Sequence, residues 1–228
     1  MKDFTVLGWR IAPWITRTLP FAIYIAFLIA DPVLTQLLSH TGWLYAIKIA
    51  AVGMTLAILA SSYTELRAIS QLTLSDWLLA AASGIVVFVI WINLDFSWAT
   101  IGESSGFDPR RPNGTIDWYS ALIRLFGASI IVPLMEELFW RSFLLRWIDG
   151  HSLFLTLAPS RIGIRSLLLS SIVFGFEHTF WIAGILAGLI YGWLYMRKGN
   201  LWVPILAHAT TNFFLGVWVL YTGNWHFW

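Results

Sequence analysis

Residues 130–145 read IIVPLMEELFWRSFLL: two adjacent glutamates, Glu136 and Glu137, and an arginine, Arg141, inside an otherwise apolar run. A run of this kind belongs at bilayer depth, where ionisable groups are costly and rare and usually mark a site of ion movement or chemistry. Working outward, SSIVFGFEHTFWIAG at 170–184 carries His178, and LWVPILAHATTNFFLGVWVL at 201–220 carries His208 and Asn212. Three such clusters in one small chain are hard to read as accidents of packing.

The rest of the chain supplies the same setting. Of 228 residues, 58% are hydrophobic and 11% charged, against about a quarter charged in soluble domains, and the mean hydropathy is +0.74. Roughly seven apolar segments follow one another at about the length of a bilayer crossing: Thr18 to Leu38, Gly42 to Ser61, Trp77 to Leu94, Trp118 to Leu145, Ser166 to Phe180, Ile182 to Met196 and Leu201 to Tyr221. This predicts an all-α, polytopic transmembrane bundle of about seven to eight helices. Many of the 15 tryptophans, Trp43, Trp77, Trp98, Trp118, Trp202 and Trp225 among them, fall near segment ends, as interfacial aromatic belts do. A net charge of +2 without a basic stripe argues against a nucleic-acid partner. The absence of cysteine excludes disulfides, thiol catalysis and cysteine metal sites.

Lys2, Arg10 and Arg17 precede the first segment with no small-residue cleavage site, which reads as an uncleaved anchor. Met1 to Trp14 mixes apolar residues with charges and reads equally as an interfacial segment or a short tail. With seven spans, one set of loops holds Lys2, Arg10, Arg17, Arg67, Arg146, Arg161, Arg165, Arg197 and Lys198. The opposite set holds Arg110 and Arg111, diluted by Asp95, Glu103, Asp108 and Asp117. The positive-inside rule then places the N-terminus in the cytoplasm and the C-terminus outside. The turn-rich loop Asp95 to Thr115 reads as a plain connector or as a lid.

Neighbouring carboxylates on a helix point about 100° apart, so Glu136 and Glu137 cannot share one role. Glu137 and Arg141 stand at i and i+4, the spacing of an ion pair along one face. Glu136 is left facing the bundle interior, where burial makes a glutamate a general base near neutral pH. The alternative is an ion-pair network that only fixes packing. His178 follows Phe174 by one turn, and the small Gly175 would admit a close neighbour helix. A single histidine here is either structural or a partner of the base. His208 and Asn212, again i and i+4, either offer two donors to a developing oxyanion or glue helices together. Pro204, one turn earlier, would kink that helix. Glu136, His178 and His208 also form a respectable ligand set for a divalent metal such as zinc, although no HExxH run is present. Glu177, beside His178, has no assigned role.

EELFWR fits an EExxxR motif, FGFEH an FxxxH motif and HATTN an HxxxN motif, in that order. In these features the chain resembles the CAAX-protease and bacteriocin-processing family of intramembrane endopeptidases, also called type II CAAX prenyl endopeptidases. The resemblance covers about Trp118 to Tyr221 and divides the chain into N-terminal helices and a polar loop (1–117, without a matched motif) and a catalytic core (118–221), within one integrated membrane domain. The loop GESSGFDPRRPNG resembles the bacterial subgroup associated with exosortase systems, which implies a bacterial inner membrane. By resemblance, Glu136 activates the attacking water with His178, His208 and Asn212 stabilise the oxyanion, and Glu137 and Arg141 support the helix. The implied partners are a membrane-associated or lipidated peptide or protein and the lipid bilayer, with metal dependence open. Two other classes remain at this stage: a catalytically silent scaffold or immunity protein that binds peptide, and a small proton-coupled transporter using Lys48, Asp31 and the intramembrane glutamates.

Overall fold

A computed structural model of the protein describes residues 4–6, 9–37, 43–102, 104 and 106–228. Lys2, Glu103 and the segment limits at Leu38 and Gly42 lie outside the described residues, as do parts of the first fourteen. An antiparallel two-stranded ribbon, β1 (Phe4–Val6) and β2 (Trp9–Ile11), pairs Phe4 with Ile11 and Val6 with Trp9. All else of regular structure among the described residues is helical.

Seven apolar helices follow: α1 (Pro13–Leu37), α2 (Leu44–Ile58), α3 (Leu74–Asn93), α4 (residues 118–150), α5 (Ile164–Phe176), α6 (Trp181–Lys198) and α7 (Trp202–Thr222). Each lies within a few residues of an expected segment. By length and composition α1, α3 and α7 suffice to cross a membrane, and α2 and α5 are shorter apolar helices. The protein is an integral membrane protein with an all-α bundle.

Local chemistry fixes where the helices begin and end. Thr73 and Asp76 form a reciprocal capping box at the start of α3: Thr73 Oγ1 accepts from the Asp76 N–H at 3.3 Å, and Asp76 Oδ2 accepts from the Thr73 N–H at 2.9 Å. Asp76 also pairs with Lys198 at 2.8 Å, tying the start of α3 to the end of α6. Gly199, at φ 68°, closes α6 in the left-handed conformation. Pro204 lies in the first turn of α7, where no intrahelical N–H bond is needed. It therefore starts that helix and does not kink it.

Helix α4 is unusual. Two π-helical stretches, Gly127–Ile131 and Leu138–Leu145, flank the α-helical Val132–Glu137 that carries both glutamates. In the first stretch the Val132 N–H bonds the Gly127 carbonyl, five residues back. The next bond in that register would run from residue 133 to Ala128. Residue 133 is proline and has no N–H, so the Ala128 carbonyl takes its donor from elsewhere, as shown below.

Helices α5 and α6 pack closely through facing glycines. A Cβ built on Gly184 would stand 2.9 Å from the Gly175 Cα, and one on Gly175 would strike the Ile185 side chain and come within 2.6 Å of the Trp181 carbonyl oxygen. The expected role of Gly175 is thus met. Gly175→Val should force the pair apart and cost about 1–3 kcal/mol of stability. The check is the thermal unfolding midpoint in detergent, which should fall well below that of wild type.

Candidate active site

The two π stretches matter because such turns change which side chains face the interior, and they recur at functional sites. Glu136 and Glu137 sit between them at 5% and 0% exposure, with Arg141 at 3% and His208 at 5%. Glu137 Oε1 lies 3.1 Å from Arg141 Nη1 and 3.0 Å from His208 Nδ1. The Arg141 guanidinium lies over the Phe174 ring at 4.5 Å and near the Tyr191 ring at 5.4 Å. One carboxylate therefore joins α4 to α7, and the expected Glu137–Arg141 pair is present.

A carboxylate only accepts, so His208 holds its proton on Nδ1 and donates it to Glu137. Its Nε2 is left for the interior. The ring is further fixed by stacking on Tyr191, with centroids 5.0 Å apart and 20° between planes. The Tyr191 hydroxyl meets Thr211 Oγ1 at 2.7 Å, and Thr211 donates to the Gly84 carbonyl at 2.8 Å. The chain thus runs from the histidine through α6 and α7 to α3.

His178 lies in the turn that follows α5, not within the helix. Its Nδ1 is 2.8 Å from the Phe174 carbonyl, which fixes the proton on Nδ1 by the same logic. The ring packs on Phe174 at 4.7 Å and edge-on to Trp91 at 5.4 Å. Asn212 Nδ2 donates to the Ala128 carbonyl at 2.9 Å, the group that Pro133 leaves without a π-helical donor. This bond uses one amide hydrogen and leaves the other, with Oδ1, free to act.

Glu136, His178, His208 and Asn212 all line one cavity of about 220 Å³. The three polar clusters of the sequence meet there. Glu136 Oε2 is buried and has no protein hydrogen-bond partner. Glu137 stands behind the cavity wall and does not line it. Glu177 does not line it either, although its Oε2 is buried without a partner.

No three His, Asp or Glu side chains among the described residues are grouped closely enough to share one metal ion. Bonds from Nδ1 to a carbonyl and to a carboxylate are of the kind that orient metal-ligating histidines. The donor spacing does not meet that requirement, so no chemical step is assigned to a metal.

Several lining residues carry no sequence motif. Tyr24 on α1, Tyr45 on α2 and Trp91 on α3 bring the N-terminal helices to the cavity, and Phe227 and Trp228 reach it from the C-terminal turn. The loop expected as a lid or connector is docked: Ile101 N–H bonds the Thr179 carbonyl at 2.8 Å, and Phe107 N–H bonds the Trp225 carbonyl at 3.3 Å.

Residues 118–214 match the family model described as "Type II CAAX prenyl endopeptidase Rce1-like". The match falls on the stretch that carries the three motifs, in agreement with the resemblance they implied. No curated protein and no solved structure matches the chain.

Proposed function

We propose that the protein is an intramembrane endopeptidase that hydrolyses a peptide bond of a membrane-associated or lipidated peptide. The observation that carries this reading is the convergence of Glu136, His178, His208 and Asn212 on one cavity, with both imidazoles pinned through Nδ1. Glu136 takes a proton from water while the His178 Nε2 lone pair accepts the second water hydrogen and orients it. The hydroxide attacks the scissile carbonyl, and the C–N bond breaks as Glu136 returns the proton to the leaving amine. The oxyanion is met by the second Asn212 amide hydrogen and by His208 Nε2–H. His208 carries that second proton as an imidazolium, with Glu137 at 3.0 Å as its counter-ion. Arg141 holds Glu137 in position. The charge distribution of the loops supports a cytoplasmic N-terminus, and the resemblance of the loop GESSGFDPRRPNG to a bacterial subgroup supports a bacterial inner membrane.

The test is cleavage of a panel of quenched fluorescent peptides by purified protein in lipid nanodiscs. Wild type should cut at least one peptide. His208→Ala should lower kcat by about 10²–10³-fold at an unchanged unfolding midpoint. Full cleavage by that variant would overturn the assignment. A chelator arm reads the zinc alternative: loss of activity, restored by zinc, would require Glu136, His178 and His208 to close on an ion.

A further inference from the structure

A second cavity, of about 330 Å³, adjoins the first and shares Tyr24, Tyr45, Arg124 and Trp228 with it. Two cations line it. Lys48 is 9% exposed, with Nζ 4.4 Å from the Tyr24 ring centroid and 4.9 Å from that of Tyr45. The Arg124 guanidinium lies 4.9 Å from the Tyr45 ring and 4.7 Å from the Phe107 ring. Neither side chain has an ion pair with a carboxylate among the described residues. Asp31 lines the same cavity from an exposed position, one carboxylate against two cations.

Aromatic faces stabilise a cation by about 0.5–2 kcal/mol each. Removing an ion from water costs several kcal/mol. The rings thus leave a deficit that an anion would offset. A group seated here belongs to the molecule that fills the adjoining cavity, which in our reading is a peptide. Peptides carry negative charge as carboxylates, at the chain end or on acidic side chains.

We propose that Lys48 and Arg124 form a subsite for a carboxylate of the substrate, a short distance along the peptide from the bond that is cut. This rests on the endopeptidase reading. Twelve residues of α4 separate Arg124 from Glu136, on the order of 18 Å at helical rise. An extended peptide covers about 3.3 Å per residue. The carboxylate therefore lies within about five residues of the cleaved bond.

The experiment compares matched quenched peptides in nanodiscs of phosphatidylcholine. One pair ends in a free carboxylate or a carboxamide, and another carries Glu or Gln near the cleaved bond. For wild type, loss of the relevant carboxylate should lower kcat/KM about tenfold or more, mainly through KM. Which pair responds identifies the source of the carboxylate. In Arg124→Gln the discrimination should collapse to under about twofold, in Lys48→Gln it should narrow, and Arg124→Lys should keep part of it. Equal cutting of both members of both pairs by wild type overturns the subsite while leaving the protease reading intact. So does undiminished discrimination in Arg124→Gln, or inhibition by added phosphatidylglycerol with no discrimination between peptides. If wild type cuts nothing, the protease reading fails. Anisotropy binding of the same peptides to Glu136→Gln then reads the subsite directly, and equal binding of acid and amide forms rejects it.

Discussion

Glu136→Gln is expected to reduce peptide cleavage by about 10²–10⁴-fold, with the bundle still folded. The exchange keeps size and hydrogen-bonding capacity and removes only the ability to take a proton. Glu136 is suited to this substitution because its Oε2 makes no protein hydrogen bond, so no network is broken. Glu137 is the control: its carboxylate meets both Arg141 and His208, and neutralising it breaks both of these contacts. The measurement is kcat on a cleavable peptide, with the unfolding midpoint recorded in parallel. A Glu136→Gln protein that cuts at near wild-type rate would show that another group activates the water.

The limits of sequence reading in this chain have physical causes. Apolar runs of bilayer length specify helices because backbone groups in lipid must bond within their own segment. Hence seven segments were visible, with ends within a few residues of α1 to α7. The i, i+4 spacing made the Glu137–Arg141 pair visible for the same reason. Register within a helix is another matter. The first π stretch of α4 ends just before Pro133, and the carbonyl that proline leaves bare is met by Asn212 from α7, a partner 84 residues away that propensity does not encode. The pairing of His208 with Glu137 and its stacking on Tyr191 cross 71 residues and three helices. No local period records such contacts. His178 lies beyond the end of α5 and not on its face, where the Phe174 carbonyl still reaches it. The aromatic residues of α1 to α3 and the C-terminal Phe227 and Trp228 resemble interfacial belt residues in composition. Only the fold shows that they wall a cavity.

The largest loss of stability is expected from Glu65→Ala, at about 3–5 kcal/mol. Arg17 is 1% exposed, and its Nε and Nη2 grip the two oxygens of Glu65 at 2.8 and 2.6 Å. Ser142, in the second π stretch, donates to the same carboxylate. Arg17 also donates to the Pro13 carbonyl at 3.0 Å and the Ser62 carbonyl at 3.1 Å. One ion pair thereby fastens the start of α1, the segment between α2 and α3, and α4 six residues beyond Glu136. Removing Glu65 leaves a buried guanidinium without its counter-charge, which costs far more than an exposed pair is worth. The pH dependence has a definite sign. Burial alone would raise the Glu65 carboxyl, but the hydrogen bonds and charge of Arg17, with Ser142, hold it below the ordinary 4.5. A depressed folded-state value contributes stability above the unfolded value, and that stability is lost as pH falls through the folded one. Wild type should therefore lose stability below about pH 4.5, and Glu65→Ala should be flatter over that range. Unfolding midpoints of both proteins from pH 7 down to 3 provide the check. Parallel curves, offset by a constant amount, would show that Glu65 is not the group that titrates.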